Sequence, residues 1–174
     1  NEPEKMYQFM MDNMYFPEAK PNVIHEKMAA LTKQGRAKII TQNVDGLHKK
    51  AGSEATIEFH GSLYDIYAVT DGKKATLSEY MANMRRADGA LLRPGITLYG
   101  EIPFNVEEAA MWVNQADLIV IVGTSFVVYP FAGLLQYAKA GVPVLAINLE
   151  RIPAPDRVQQ IIGDATSFFD ELHI

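Results

Sequence analysis

Asp117-Leu118-Ile119-Val120-Ile121-Val122-Gly123-Thr124-Ser125 is the stretch that decides the fold of this 174-residue chain. From Leu118 to Val122 the residues are apolar without interruption. A strand with one face in water alternates polar and apolar residues. A continuous, β-branched run belongs instead to a strand covered on both faces, and so to a parallel sheet with helices above and below it. The run is also far too short to cross a bilayer. It ends in Gly123-Thr124-Ser125, where small side chains let backbone amides and hydroxyls approach a phosphate or a ribose. Alone, a strand followed by Gly-Thr-Ser is a weak signal.

On either side of this stretch, strand-like and helical segments take turns. Strands are expected at 38–41, 56–59, 96–99 and 143–148, and helices at 4–15, 22–34, 106–114, 131–140 and 156–162. In 22–34, Val23, Met28 and Leu31 recur at helical spacing, and Asn22 after Pro21 can cap the helix. The alternation is that of the doubly wound α/β class, in which ligands bind beyond the carboxyl ends of the strands. Polar residues directly after strands therefore carry the functional question.

Four such places follow the other strands. Gln42-Asn43-Val44-Asp45-Gly46 comes after 38–41, His60-Gly61 after 56–59, Gly100-Glu101 after 96–99, and Asn148 with Glu150 after 143–148. Each has a plain reading beside the functional one. Asn, Asp and Gly make turns in any protein. A lone histidine is more often a core or surface residue than a catalyst, although imidazole suits proton transfer near neutral pH. Asn148 and Glu150 read equally as a solvated loop.

Composition narrows the classes. With 48% hydrophobic and 21% charged residues, the chain can bury one substantial core, or a main domain with a small appendage. A net charge of −5 gives no general attraction to nucleic acid or anionic lipid, so neither is expected as a partner. No signal-like segment opens the sequence as given, and a cytoplasmic location is expected. Cysteine is absent, which removes disulfides, thiolate nucleophiles and thiolate zinc sites together.

Taken in order, TQNVDGLH (41–48), EFHGSLY (58–64), LLRPGITLYGE (91–101), GTSFVVYP (123–130), INLE (147–150) and GDA (163–165) resemble the sirtuin family of NAD-dependent protein deacylases. The resemblance implies a Rossmann-like parallel sheet with helices on both faces, formed by 1–61 and 93–174. A small domain, 62–92, would be inserted between His60 and Arg93. It also implies NAD as co-substrate and an acyl-lysine protein or peptide as substrate. Gln42, Asn43 and Asp45 would line the nicotinamide and ribose pocket. Gly123, Thr124 and Ser125 would hold ribose and phosphate, with Asn148 and Glu150 along the adenosine half. His60 would be the general base, with Asn43 and Asp45 fixing hydroxyls and an ordered water. Gly100, Glu101, Val127 and Val128 would offer backbone edges to the substrate peptide by strand addition. The implied products are nicotinamide and O-acyl-ADP-ribose. An ADP-ribosyltransferase, an NAD hydrolase or an inactive binding protein on the same fold are the alternatives.

The chain departs from the family's pattern in two ways. The four zinc cysteines are absent, Ala68 and Asp71 standing at the first pair of positions and Arg85 and Asp88 at the second. A zinc-free small domain is expected, braced by an ion pair among Asp71, Arg85 and Asp88 and by packing of Tyr64, Tyr67, Leu77, Tyr80 and Met84. The family's glycine-rich opening strand and the loop after it are also not in this sequence, and 1–20 reads as the helical region that follows them. The expectation is that the sequence begins after such a portion; a truncated product is the alternative.

Overall fold

The computed structural model describes residues 2–174. The chain opens with helices α1 (Pro3–Asn13) and α2 (Val23–Lys33), strand β1 (Ile39–Thr41), helix α3 (Leu47–Lys50) and strand β2 (Thr56–Glu58). Next come β3 (Gly61–Ala68), β4 (Lys74–Ala75), α4 (Leu77–Ala82) and β5 (Leu92–Ile96). The remainder is α5 (Val106–Gln115), β6 (Ile119–Val122), a 3₁₀ segment (Ala132–Tyr137), β7 (Val144–Asn148), β8 (Val158–Ile162) and α6 (Ala165–Asp170).

The strands fall into two kinds. β1 pairs with β2, and β6, β7 and β8 pair in that order, all parallel. β4, β3 and β5 form a separate antiparallel sheet. The parallel strands are the frame of the α/β fold. Ile57 and Phe59 pack with Ala109 of α5 and Leu134 of the 3₁₀ segment, while Val144, Ala146 and Val158 pack with Leu135 and Ile152. Among the described residues no strand pairs with the free edges of β1 and β6, and Val120 keeps 42% exposure although its sequence reads as buried on both faces.

Asn22 caps α2 as its sequence predicts: its side-chain oxygen accepts from the backbone N–H groups of Ile24 (3.1 Å) and His25 (3.3 Å). The antiparallel sheet closes over a core of Ile66, Ala68, Tyr80 and Leu92, onto which Tyr7, Met11 and Tyr15 from the α1 region pack. Tyr80 is 1% exposed and meets the Tyr7 ring edge-on at 5.1 Å. The start of this sheet depends on Gly61. Its φ is +80°, and a Cβ there would lie 1.9 Å from the carbonyl oxygen of Gly95. Only a residue without a side chain allows the two strands to approach so closely.

Three expected elements are different in the structure. Residues 156–162 are not helical: 158–162 is the strand β8 on the edge of the parallel sheet. Val158, Ile161 and Ile162 sit at helical spacing, but β-branched residues after Pro153 and Pro155 also suit an edge strand. Gln160 fixes it by donating to the Ile152 carbonyl (3.1 Å) and accepting from the Ile152 N–H (2.9 Å). The strand expected at 96–99 lies earlier, at Leu92–Ile96, and is antiparallel, because Leu92, Pro94 and Ile96 are the alternating residues that face inward. The helix expected at 131–140 is the shorter 3₁₀ segment.

The expected ion pair also shifts by one residue. Arg86, not Arg85, bridges Asp71 (2.9 Å) and Asp88 (2.6 Å), tying the β3–β4 turn to the 86–89 turn. Arg85 reaches only the Gly89 carbonyl (3.1 Å) and, at 3.9 Å, Glu4. The turn geometry decides which of two adjacent arginines points inward. Among the described residues there is no group of three or more His, Cys, Asp or Glu side chains that could hold a metal ion.

Candidate active site

Parallel register sets the site. Thr41 lies opposite Glu58, so the residues that follow β1 and β2 emerge at the same carboxyl edge and bring Gln42 beside His60. Val122 lies opposite Ile147 and Asn148 opposite Ile162, which sends Gly123, Asn148 and Gly163 out along the same edge of the other strands. The Gly123 N–H donates to the Ile147 carbonyl (3.2 Å), and the Gly163 N–H to the Asn148 carbonyl (2.9 Å).

One side-chain bond joins the two sets. The Thr124 hydroxyl donates to Gln42 Oε1 at 3.3 Å. The same hydroxyl accepts from the Phe126 N–H (3.1 Å), and Asn148 Nδ2 donates to the Thr124 carbonyl (3.0 Å). Phe126 is held at φ +58°, a conformation uncommon for a bulky residue, with its ring against the β6–β7 core. Strain of this kind persists where the surroundings over-determine it, as they do at binding loops. Ser125 is exposed, and the position a Cβ of Gly123 would take meets nothing within 4 Å. The loop thus presents open backbone and a free hydroxyl.

His60 is half-buried between the strands. Its carbonyl accepts from the Thr97 N–H (2.9 Å), and its ring lies 5.5 Å from that of the fully buried Phe59. Burial pushes its pKa below 6.5, opposed by a hydrogen bond to the Gln42 backbone. A neutral imidazole keeps one nitrogen lone pair that can accept a proton.

Asp45 Oδ1 accepts from the Leu47 N–H (2.9 Å), and the Val44 carbonyl accepts from Leu63 (3.0 Å), so the 42–46 loop is tied to α3 and to β3. Asn43 is exposed, its N–H donating to Thr41 Oγ1 (3.0 Å). Behind this loop the His25 and His48 rings pack against each other, centroids 4.7 Å apart and planes tilted by 52°. Burial lowers both pKa values, and Asp45 opposes this. Gly100, Glu101, Val127 and Val128 are all exposed, as is Glu150, for which the geometry provides no contact to the other site residues. Arg93, in the Arg93-Pro94-Gly95 segment that leads into Gly100-Glu101, is given no role by the sequence reading, yet it forms two bonds to Glu101.

A parallel α/β sheet whose carboxyl edge gathers amides, hydroxyls, open glycine backbone and a half-buried imidazole defines a nucleotide-using enzyme class. The Sir2 family model matches residues 1–130. An NAD-dependent protein deacetylase of Lactiplantibacillus plantarum is 45% identical over 99% of this chain and 75% of its own length. Its counterpart from Listeria innocua is 44% identical over 98% of this chain and 76% of its own. A solved structure of Sir2 with a p53 peptide and NAD+ aligns at a TM-score of 0.90 with 32% identity, covering 97% of this chain and 76% of that one. The chain belongs to the Sir2 family of sirtuins. Among the described residues no helix is long and apolar enough to cross a membrane.

Proposed function

We propose that this chain is an NAD-dependent protein-lysine deacylase that removes acetyl groups, with His60 as its general base. One observation carries the assignment of the base. His60 follows β2 at the carboxyl edge beside Gln42, which follows β1, and its half-buried ring lies 5.5 Å from that of Phe59, where burial lowers its pKa and favours the uncharged form. An uncharged imidazole is what proton abstraction from a hydroxyl needs at neutral pH. The relatives' names and the solved structure with peptide and NAD+ support the substrate and co-substrate.

The residues along this edge suit NAD. Gly123 leaves open backbone for close approach, and Thr124 and Ser125 add hydroxyls beside it. Gln42, Asn43 and Asp45 supply amide and carboxylate groups that accept hydrogen bonds from sugar hydroxyls or water. Asn148 acts on this pocket through the Thr124 carbonyl, and Glu150 extends the adenosine side. NAD, when bound, supplies the sugar that accepts the acyl group. His60 takes the hydroxyl proton, Gln42 orients the imidazole, and the Thr124–Gln42 bond keeps the two halves of the pocket together.

In this reading 1–61 and 93–174 form the NAD-binding unit and 62–92 the small unit, with substrate peptide adding as a strand along Gly100-Glu101 and Val127-Val128. A cytoplasmic location fits a chain without cysteine, which gains nothing from an oxidising compartment. Mass spectrometry of an acetyl-lysine peptide incubated with NAD tests the proposal. Loss of the acetyl group with O-acetyl-ADP-ribose formed, and neither in His60→Ala, is the expected result. Free ADP-ribose without deacetylation would instead mark a hydrolase.

A further inference from the structure

Arg93 of β5 stands outside the nucleotide pocket, yet it is among the most thoroughly engaged charged groups in the molecule. Its side chain is only 17% exposed. Nη1 and Nη2 donate to the two carboxylate oxygens of Glu101 (2.8 and 3.1 Å), and Nη2 also donates to the Ile96 carbonyl (2.8 Å). The guanidinium lies 5.9 Å from the Tyr67 ring centre. Glu101 turns back in the same way: its Oε2 accepts from the Leu98 N–H (2.9 Å), and its own N–H donates to the Leu98 carbonyl (3.0 Å). Of the residues enclosed by these bonds, Tyr99 is fully solvated and Gly100 is exposed, at φ +88°.

A solvated turn with a glycine at its tip has no packing to hold one shape, and ordering it on binding would cost conformational entropy. The forked bond from Arg93 supplies the missing constraint, because a planar guanidinium meets a carboxylate at two points and fixes direction as well as distance. The turn is also registered to the catalytic edge. One residue before Leu98, the Thr97 N–H donates to the carbonyl of His60 (2.9 Å).

We propose that Arg93 is a positioning residue for substrate. Through Glu101 it holds the Leu98–Glu101 turn in the shape that receives the peptide strand, at a fixed place relative to His60. The inference rests on the deacylase reading and on the peptide edge at Gly100-Glu101.

Steady-state kinetics of the complete protein, with acetyl-lysine peptide varied at saturating NAD and the reverse, separates this role from a general structural one. Arg93→Gln removes the charge and the fork, and is expected to raise the peptide KM about tenfold, while kcat and the KM for NAD change less than about twofold. Arg93→Lys keeps the charge but not the fork and should fall between wild type and Arg93→Gln. It also serves as the test if Arg93→Gln does not fold. A peptide KM unchanged in the lysine variant, or a loss confined to kcat as from a smaller active fraction, overturns the role of Arg93 and leaves the deacylase reading standing. Absence of peptide turnover in the wild-type protein overturns both.

Discussion

Gly61 offers the sharpest test of the geometry around His60. In Gly61→Ala the new methyl would sit 1.9 Å from the Gly95 carbonyl oxygen and 2.8 Å from the Phe104 ring, at φ +80°. Two costs add. The left-handed backbone with a Cβ costs about 1–2 kcal/mol, and prying apart a packed strand pair about 1–3 kcal/mol more. The sum is roughly 2–5 kcal/mol, which for a chain of this size lowers Tm by roughly 4–20 °C. Gly72→Ala is the matched control: its φ is +67°, and nothing lies within 4 Å of the added Cβ, so only the first cost applies. Thermal denaturation followed by circular dichroism should show Gly61→Ala melting well below Gly72→Ala. If the two variants melted together, the close approach of β3 to Gly95 would not exist in solution.

Further outcomes follow from the same contacts. Tyr80→Ala should lose about 3–5 kcal/mol in urea denaturation, since Tyr80 is 1% exposed in the core it shares with Ile66 and Leu92; Tyr80→Phe, which gives up only a 3.8 Å contact from its hydroxyl to the Met10 sulfur, should stay within about 1 kcal/mol of wild type. Arg86→Gln should lower Tm in dilute buffer, with the difference shrinking in about 1 M salt, whereas Arg85→Gln should leave Tm nearly unchanged; an equal loss in both variants would mean the bridge to Asp71 and Asp88 is misassigned. His25, His48 and His60 all have folded pKa values below 6.5 because burial disfavours the charged ring. The unfolded chain therefore binds more protons below about pH 6.5, so their contribution to stability is whole above that pH and is lost as pH falls through the folded values. The denaturation midpoint should decline between about pH 6.5 and 5, before the depressed carboxylates begin to titrate, and a flat midpoint there would contradict the burial of these rings.

The sequence by itself determined the class of fold and the neighbourhood of the site. An uninterrupted apolar run ending in Gly-Thr-Ser, and polar clusters placed directly after strands, reflect local rules: which faces are covered, and which residues can stand at a strand's carboxyl end. The family motifs are likewise contiguous, so they could be read in one dimension. Tertiary structure alone decided the matters that depend on a distant partner. Residues 158–162 became a strand because β7 and the Gln160 amide were there to pair with them, although their apolar spacing fits a helix as well. Whether Arg85 or Arg86 joins Asp71 turns on the direction of one side chain in a turn, which a sequence offset cannot supply. The place of His60 beside Gln42 is set by the register of β1 on β2, and the partner of Arg93 is a carboxylate eight residues away that the chain must fold back to deliver. Local pattern specifies an element and its covered face; the bonds that orient a functional side chain arise only when register and turn geometry bring separate segments together.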